Sequence, residues 1–580
     1  MHEDIDPITF QVIKNSLLSA AEEMKVVLAK TAYSPILKLA GDYSCGIFDA
    51  SGNMVAQGPD IPIHLGSMPL SVKAILARAT DIAPGDVFIH NDPYFGGSHL
   101  PDVNVITPVY LNDDLLLGFT CVRAHWPDVG SASPGSYGAT TEIYGEGLRL
   151  PGVRLFTQGQ LNRDIDDLIF SNVRTPEERR GDLRAQVAAN HRGAVRVQVL
   201  AEKYGVDLIR EMMQGIQDYS ERMIRNQLDR FDDGEFYYED FCDGDGILGI
   251  GQTEDQPINI RLRVNKVDDH LTVDFTGSDD QVDGPMNAPL AVTASGVYTA
   301  VKMIADPNDL IPPNSGTWRA IGVNAPEGSV VNVLPPAPVV FANHEMTHRI
   351  CDMVFGAVAP GYPNNVLAGS QGTSAILTVG GLHPRTKRRY VSYETVAGGM
   401  GARPNQDGIS SVKVGISNTM NSPVEQIEMR FPIMIDRYEL INDSGGAGKY
   451  RGGLGARRVT RVMGHTAMVT TCCERMISAP FGLRGGKAGA VSRIRMIDKE
   501  GNESEVAGKG PPFPMADGGE IWYDVAGSGG YGNPSERDPE AVRQDVINEY
   551  VSEEAAARDY GVDPTDMRCP YCGSAQDPDG

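Results

Sequence analysis

Apolar residues first recur at helical spacing. Phe10, Ile13, Leu17, Leu18, Ala21, Met24 and Leu28 fall on one face of a helix expected over about residues 7–32. Asp6 supplies its N-cap, and Pro7 fits the first helical position, where a missing N–H loses no hydrogen bond. From Asp42 to about Arg123 the pattern changes to short apolar runs between turns such as Ser51-Gly52-Asn53 and Pro84-Gly85-Asp86. Gly46-Ile-Phe-Asp49 and Val87-Phe-Ile89 read as strands, and the run 115–122 as a buried strand. A second helical block covers about 175–230. Thr175-Pro176-Glu177-Glu178 opens it with a cap, a proline and an acidic first turn, and Tyr204-Gly205 interrupts it.

Beyond Phe236 β-character dominates, with strict alternation over 258–264 and 270–275. A Gly-rich stretch runs from Ala368 to about Gly455. There Gly398-Gly-Met-Gly401 and Gly452-Gly-Leu-Gly455 read as turns that need positive φ. A final helix, about Pro539 to Tyr560, precedes a polar tail. The pattern predicts a mixed α/β (α+β), multi-domain fold with helical N-terminal segments and a β-rich C-terminal half. The expected regions are 1–174, a helical block 175–233, a mixed centre 234–440, a β-rich region 441–535 and a C-terminal helix with tail 536–580. A chain of 580 residues exceeds what one hydrophobic core serves.

The net charge of −25 argues against nucleic acid and anionic membrane surfaces as partners. The acidic start lacks the basic and apolar parts of a secretion signal. No apolar run approaches the roughly 18 residues of a spanning helix. Eight cysteines in this length make no disulfide framework, so a reducing cytoplasm is the expected compartment.

The candidate chemistry sits in Asn91-Asp-Pro-Tyr-Phe-Gly-Gly-Ser-His-Leu-Pro-Asp102. Two Pro and two Gly exclude a helix and make a rigid loop presenting Asn91, Asp92, His99 and Asp102. His125 follows a strand later, and Asp42 ends the loop after the first helix. Two imidazoles with carboxylates form a mixed N/O shell suited to Zn, Mn or Fe(II), and an ion with an open position acidifies bound water or polarises a carbonyl. The same residues also suit turn-capping aspartates with a hydrogen-bonded histidine.

Other motifs narrow the field. Gly448-Lys449, Gly486-Lys487 and Gly508-Lys509 lack the flanking residues of a P-loop, so an ATP-consuming reaction needs ATP bound by another chain. Cys569-Pro-Tyr-Cys572 reads as a redox pair, a structural zinc half-site completed elsewhere, or two inert thiols on a tail. His344-Glu-Met-Thr-His348 spells the zinc-protease pattern. A third protease ligand is not evident and a Pro-rich segment precedes it, so a structural or substrate-contact role is expected for Glu345 and Arg349.

The chain resembles the hydantoinase B/oxoprolinase family from Pro7 to about Val562. The resemblance is carried in order by Asp42-Tyr-Ser-Cys-Gly-Ile-Phe-Asp49, Ile63-His-Leu-Gly66, Asn91-Asp-Pro-Tyr94 with Gly97-Ser-His-Leu-Pro-Asp102, and Arg123-Ala-His125 with Asp128-Val-Gly. Thr141-Glu-Ile-Tyr144, Glu146-Gly-Leu-Arg149, Gly284-Pro-Met-Asn-Ala-Pro289, Asp443-Ser-Gly-Gly-Ala-Gly448 and Gly529-Gly-Tyr-Gly532 continue it.

What the resemblance implies is the large subunit of an ATP-dependent hydrolase of a cyclic amide (hydantoin, 5-oxoproline or lactam). A hydantoinase A-type ATPase partner would bind ATP with Mg and activate the substrate, in a hetero-oligomer such as a dimer of heterodimers. Asp42, His99, Asp102 and His125 would hold one divalent ion, zinc first, Mn or Fe otherwise. His64, Asn91 and Asp92 are expected at the substrate, and Asp128 or Glu142 at the proton. The alternatives are a subunit of an acetone/acetophenone-type carboxylase and a scaffold for the ATPase.

Overall fold

The computed structural model describes residues 6–248 and 255–562; Cys569 and Cys572 lie outside them. The fold is α+β, with helices and, among the described residues, four sheets. The first helix spans Pro7–Thr31, and Asp6 caps it by accepting from the amides of Ile8 and Thr9 at 2.9 and 3.1 Å. Its apolar stripe, Phe10 to Leu28, is buried.

Seven antiparallel strands form the N-terminal sheet: β1 Tyr43–Asp49, β2 Met54–Gln57, β3 Val87–His90, β4 Asp102–Leu111, β5 Leu115–His125, β6 Pro151–Thr157 and β7 Gln160–Leu161, in the order β2-β1-β5-β4-β3-β6-β7. Asn112 and Asp113, at φ 53° and 61°, close the β4–β5 hairpin; Asn and Asp tolerate this left-handed region better than other side chains. The hairpin register sets Asp102 directly opposite His125, while β1 pairs with β5 so that Tyr43 faces Ala124. Asp42, Asp102 and His125 therefore share one end of three neighbouring strands.

The helical block is Pro176–Tyr204 and Val206–Leu228, broken at Gly205 (φ 86°). Its first helix lies on the sheet through polar pins as well as apolar contact: Gln186 accepts from Trp126 Nε1 at 3.0 Å, and Asn190 donates to the carbonyl of Val105 at 2.7 Å. Two helices of the centre, Leu290–Ala305 and Ala342–Val358, pack against each other, and every residue of the second is buried. One apolar cluster runs from Phe10 to Cys472, joining the N-terminal sheet to these helices. A second, from Ala375 to Val525, fills the β-rich half.

Strand Ile258–Val267 alternates buried and exposed along its whole length, as its sequence predicts. The expected last helix is two pieces, Pro539–Ile547 and a short turn from Glu553. Glu549 at φ 58° ends the first, and Ser552 starts the second by accepting from the amide of Ala555. The Gly-rich motifs also differ from expectation. None of Gly398, Gly399, Gly401, Gly452, Gly453 or Gly455 has positive φ. They serve close backbone crossings instead: a Cβ on Gly401 would lie 1.8 Å from the carbonyl oxygen of Ala368. We expect Gly401→Ala to lose about 2 kcal/mol or more of stability, because backbone rather than a side chain must move aside. Urea unfolding measures it; an unchanged midpoint would contradict the packing argument.

The six described cysteines, Cys45, Cys121, Cys242, Cys351, Cys472 and Cys473, are buried and unpaired. Among the described residues no helix is long and apolar enough to cross a membrane.

Candidate metal centre

The Pro/Gly loop before β4 is held rigidly. Asn91 spends its whole amide on it, donating to the carbonyls of Leu100 and Leu148 at 2.8 and 3.0 Å and accepting from the amide of Leu150 at 2.7 Å. Asp92 caps the amide of Tyr94 and lies 3.5 Å from Arg149 Nε. Both were expected at a substrate. Both are buried and instead fix the loop that presents His99 and Asp102.

Asp102 is 1% exposed, and its two oxygens have different tasks. Oδ2 accepts from Ser98 Oγ at 2.7 Å and from Asn343 Nδ2 at 3.3 Å, and His64 Nε2 lies 3.5 Å away. His64 is fixed in turn by Ser44 Oγ, 2.8 Å from its Nδ1, so it supports Asp102 from behind. Oδ1 faces the other way, 3.0 Å from His99 Nε2 and 3.4 Å from His125 Nδ1. Burial raises the Asp102 pKa, but the neighbouring histidines, His99 foremost, hold it well below the ordinary value.

His344 completes the group. One ring nitrogen from each of His99, His125 and His344 lies within 4.8 Å of the others, all three residues being buried. Tyr137 bridges them, its hydroxyl 3.1 Å from His344 Nδ1 and 3.5 Å from His99 Nδ1. The Tyr393 ring lies tilted against His125, their centroids 4.5 Å apart. Burial lowers the pKa of His125 to about 4, so it stays a neutral donor at ordinary pH. Asp42 stands beside the cluster, its carbonyl accepting from the amide of His125 at 3.1 Å. Burial, then the charge of Asp102, raises its carboxyl to about 8, with Lys413 opposing.

These donors fit a divalent cation, on one observation above all. His99 Nδ1 contacts the carbonyl oxygen of Val340 at 3.2 Å. A carbonyl only accepts, so a proton sits on Nδ1, which leaves Nε2 as the ring nitrogen available to an ion. That nitrogen is buried with no hydrogen bond of good geometry, 3.0 Å from a carboxylate oxygen; His125 Nε2 is likewise unpartnered. Each such orphan costs about 1–3 kcal/mol. Two donors each about 2.1 Å from a shared ion sit roughly 3.0–3.4 Å apart, and His99 Nε2 lies 3.0 Å from Asp102 Oδ1.

The residues expected at the proton lie elsewhere. Both oxygens of Asp128 are taken by Arg174, from its amide and from Nη1, each at 2.6 Å. Glu142 is exposed on its turn. The His-Glu-x-x-His letters do fall on a helix, but the pair diverges: His344 joins the cluster, while His348 Nε2 meets Ser374 Oγ at 3.3 Å. His344, Tyr137, Asn343 and Ser98 were missed as site residues. Only His344 had a local signal, inside a motif whose usual chemistry it does not perform. A cavity of about 670 Å³ opens across the turn Pro62–His64, lined by Pro62, Leu65, Thr299, Phe355, Met400 and Arg403.

The sequence profile described as hydantoinase B/oxoprolinase matches residues 6–534. An uncharacterised protein of Methanocaldococcus jannaschii is 38% identical, over 96% of each chain. Caprolactamase subunit beta of Pseudomonas jessenii is 33% identical, again over 96% of each. The crystal structure of the ATP-dependent caprolactamase from that organism superposes with a TM-score of 0.87 at 32% identity over 97% of both chains. A nucleotide-free acetone carboxylase shares the fold, with a TM-score of 0.90 at 20% identity over 96% of this chain and 79% of that one.

Proposed function

The chain belongs to the hydantoinase B/oxoprolinase family, and from that premise we propose that it is the metal-bearing subunit of an ATP-dependent hydrolase opening a cyclic amide. ATP is bound by a separate ATPase subunit of hydantoinase A type, which activates the substrate. His99, Asp102 and His125 hold the ion, with His344 and Asp42 at its margin. The observation that carries this reading is the buried Nε2 of His99, without a hydrogen bond of good geometry, facing Asp102 Oδ1.

Nitrogen and carboxylate donors favour zinc, with manganese or iron(II) as alternatives. Such an ion, when bound, supplies Lewis acidity toward water or a carbonyl oxygen. The chain's own residues do the rest. Ser98, Asn343 and His64 keep Asp102 Oδ2 occupied so that Oδ1 stays turned inward. Tyr137 places a hydroxyl against two ring nitrogens, within reach of a group that must gain or lose a proton. The 670 Å³ cavity is of the size that admits a small ring.

Co-expression with the ATPase subunit, followed by incubation with ATP and a panel of hydantoins, 5-oxoproline and lactams, tests the proposal. The expected result is a ring-opened product formed only with ATP. Labelled bicarbonate added to the same reaction should leave the product unlabelled. Stable label in the product would replace hydrolysis by carboxylation.

A further inference from the structure

We propose that Glu146 is a positioning residue for the metal centre, clamping the strap 336–340 so that the Val340 carbonyl fixes the proton and the ring orientation of His99. The inference rests on reading the His99–Asp102 cluster as a metal centre.

Glu146 is 1% exposed and touches none of the proposed ligands. Its Oε1 accepts from two successive amides, Val339 at 2.7 Å and Val340 at 2.8 Å. The rest of the strap is anchored nearly residue by residue. The carbonyl of Pro336 accepts from the Ile143 amide at 2.9 Å, that of Ala337 from the Tyr94 hydroxyl, and that of Pro338 from Asn287 Nδ2 at 3.0 Å. The next peptide group, Val340–Phe341, carries the oxygen that meets His99 Nδ1, and its own N–H, on Phe341, donates to the carbonyl of Pro285 at 3.0 Å. Two residues later the helix Ala342–Val358 begins, with Asn343 against Asp102 and His344 in the cluster. Glu146 thus fixes the amide of the residue whose oxygen meets His99 Nδ1, and together with the Pro285 carbonyl it sets the entry of a helix carrying a further donor.

The clamp needs an acceptor, not a charge. Burial raises the Glu146 carboxyl to about 8, opposed by the amides of Val340 and Val339 and by the Thr140 hydroxyl. Glutamine keeps the accepting oxygen and closely matches the carboxyl in shape. Alanine removes the acceptor and leaves two buried amides bare. Aspartate keeps an acceptor but withdraws it by one methylene.

The test uses the full chain with its ATPase partner, stripped of metal and titrated with zinc against a competing chelator. Hydrogen exchange of the peptide 336–342 is followed in the metal-free state. Glu146→Ala should bind zinc about 10- to 100-fold more weakly, the usual cost of losing an outer-shell contact, and should exchange faster at 339 and 340. Glu146→Gln should match wild type in both readouts. Glu146→Asp, which spares most of the packing should the alanine variant fail to fold, should fall between them. Wild-type zinc affinity in both the alanine and aspartate variants would overturn the inference while leaving the metal centre intact. A Glu146→Gln variant as weak as Glu146→Ala would overturn it too. A wild-type chain that takes up no zinc, manganese or iron would instead overturn the metal centre itself.

Discussion

Replacing His99 by alanine is expected to abolish stoichiometric metal and to cut ATP-dependent ring opening by about 10³-fold, with the fold unchanged. His99 is fully buried, and its Nε2 has no role in the protein other than to face Asp102 and the neighbouring rings. Losing it removes one donor of the proposed shell and lets solvent into the gap. An ion acting on developing charge contributes several kcal/mol, and about 4 kcal/mol converts to roughly 10³ in rate. Metal analysis on the purified complex and the coupled ATP assay give the two readouts. His348→Ala is the internal control: it lies one helical turn beyond His344 but pairs with Ser374, so metal content should persist. If His99→Ala keeps both metal and turnover, the chain is a scaffold for the ATPase and catalysis lies elsewhere. If His348→Ala loses metal, the helix binds an ion through the zinc-protease pair instead.

How far the sequence exposes this centre depends on how local each contact is. His99 and Asp102 are three residues apart in a loop whose Pro and Gly content declares its rigidity, so they are readable. His125 becomes readable once the two apolar runs before it are taken as a hairpin, because register alone sets it opposite Asp102. His344 is 219 residues beyond His125 in the chain, on a helix buried on every side. Such a helix has no exposed face: its polar residues, Asn343 to Asp352, are buried against partners distant in sequence, and the Pro-rich segment before it masks its start. Asn91, Asp92 and Asp128 show the converse. Their residue types suit a substrate or proton-transfer site, but Asn91 and Asp92 are consumed by backbone groups and Asp128 by the amide and guanidinium of Arg174, and only geometry separates the two uses. The Gly-rich motifs mislead in the same way. Glycine serves positive φ and close approach equally well, and the partner strand that demands close approach is distant in sequence.

Arg349→Met should be the most destabilising single change outside the metal centre, by about 3–5 kcal/mol, the usual cost of removing one partner from a buried ion pair. Arg349 is fully buried in the helix that carries His344. It spans Asp240 Oδ2 at 3.0 Å and Glu474 Oε2 at 2.6 Å, with Ser478 Oγ at 3.1 Å. The network extends to Arg475, which reaches Asp240 at 3.3 Å and Asp352 at 3.2 Å, and to Lys509 on Glu474. It therefore ties the central helix to the end of strand Gly234–Cys242 and to the β-rich half. Methionine fills much of the arginine stem's volume but leaves Asp240 and Glu474 short of one positive charge in a dry interior. Lysine should recover only part of the loss, since a single ammonium cannot fork between two carboxylates. The decisive comparison is Arg349→Met with Asp240→Asn. Removing both charges leaves Arg475 paired with Asp352 and Lys509 with Glu474, so the double variant should lose less than the two singles added together, by about 0.5–3 kcal/mol. Urea unfolding of the four proteins closes the cycle. Strict additivity would mean that the pair contributes only packing, and that the zinc-protease letters conceal no electrostatic clamp at all.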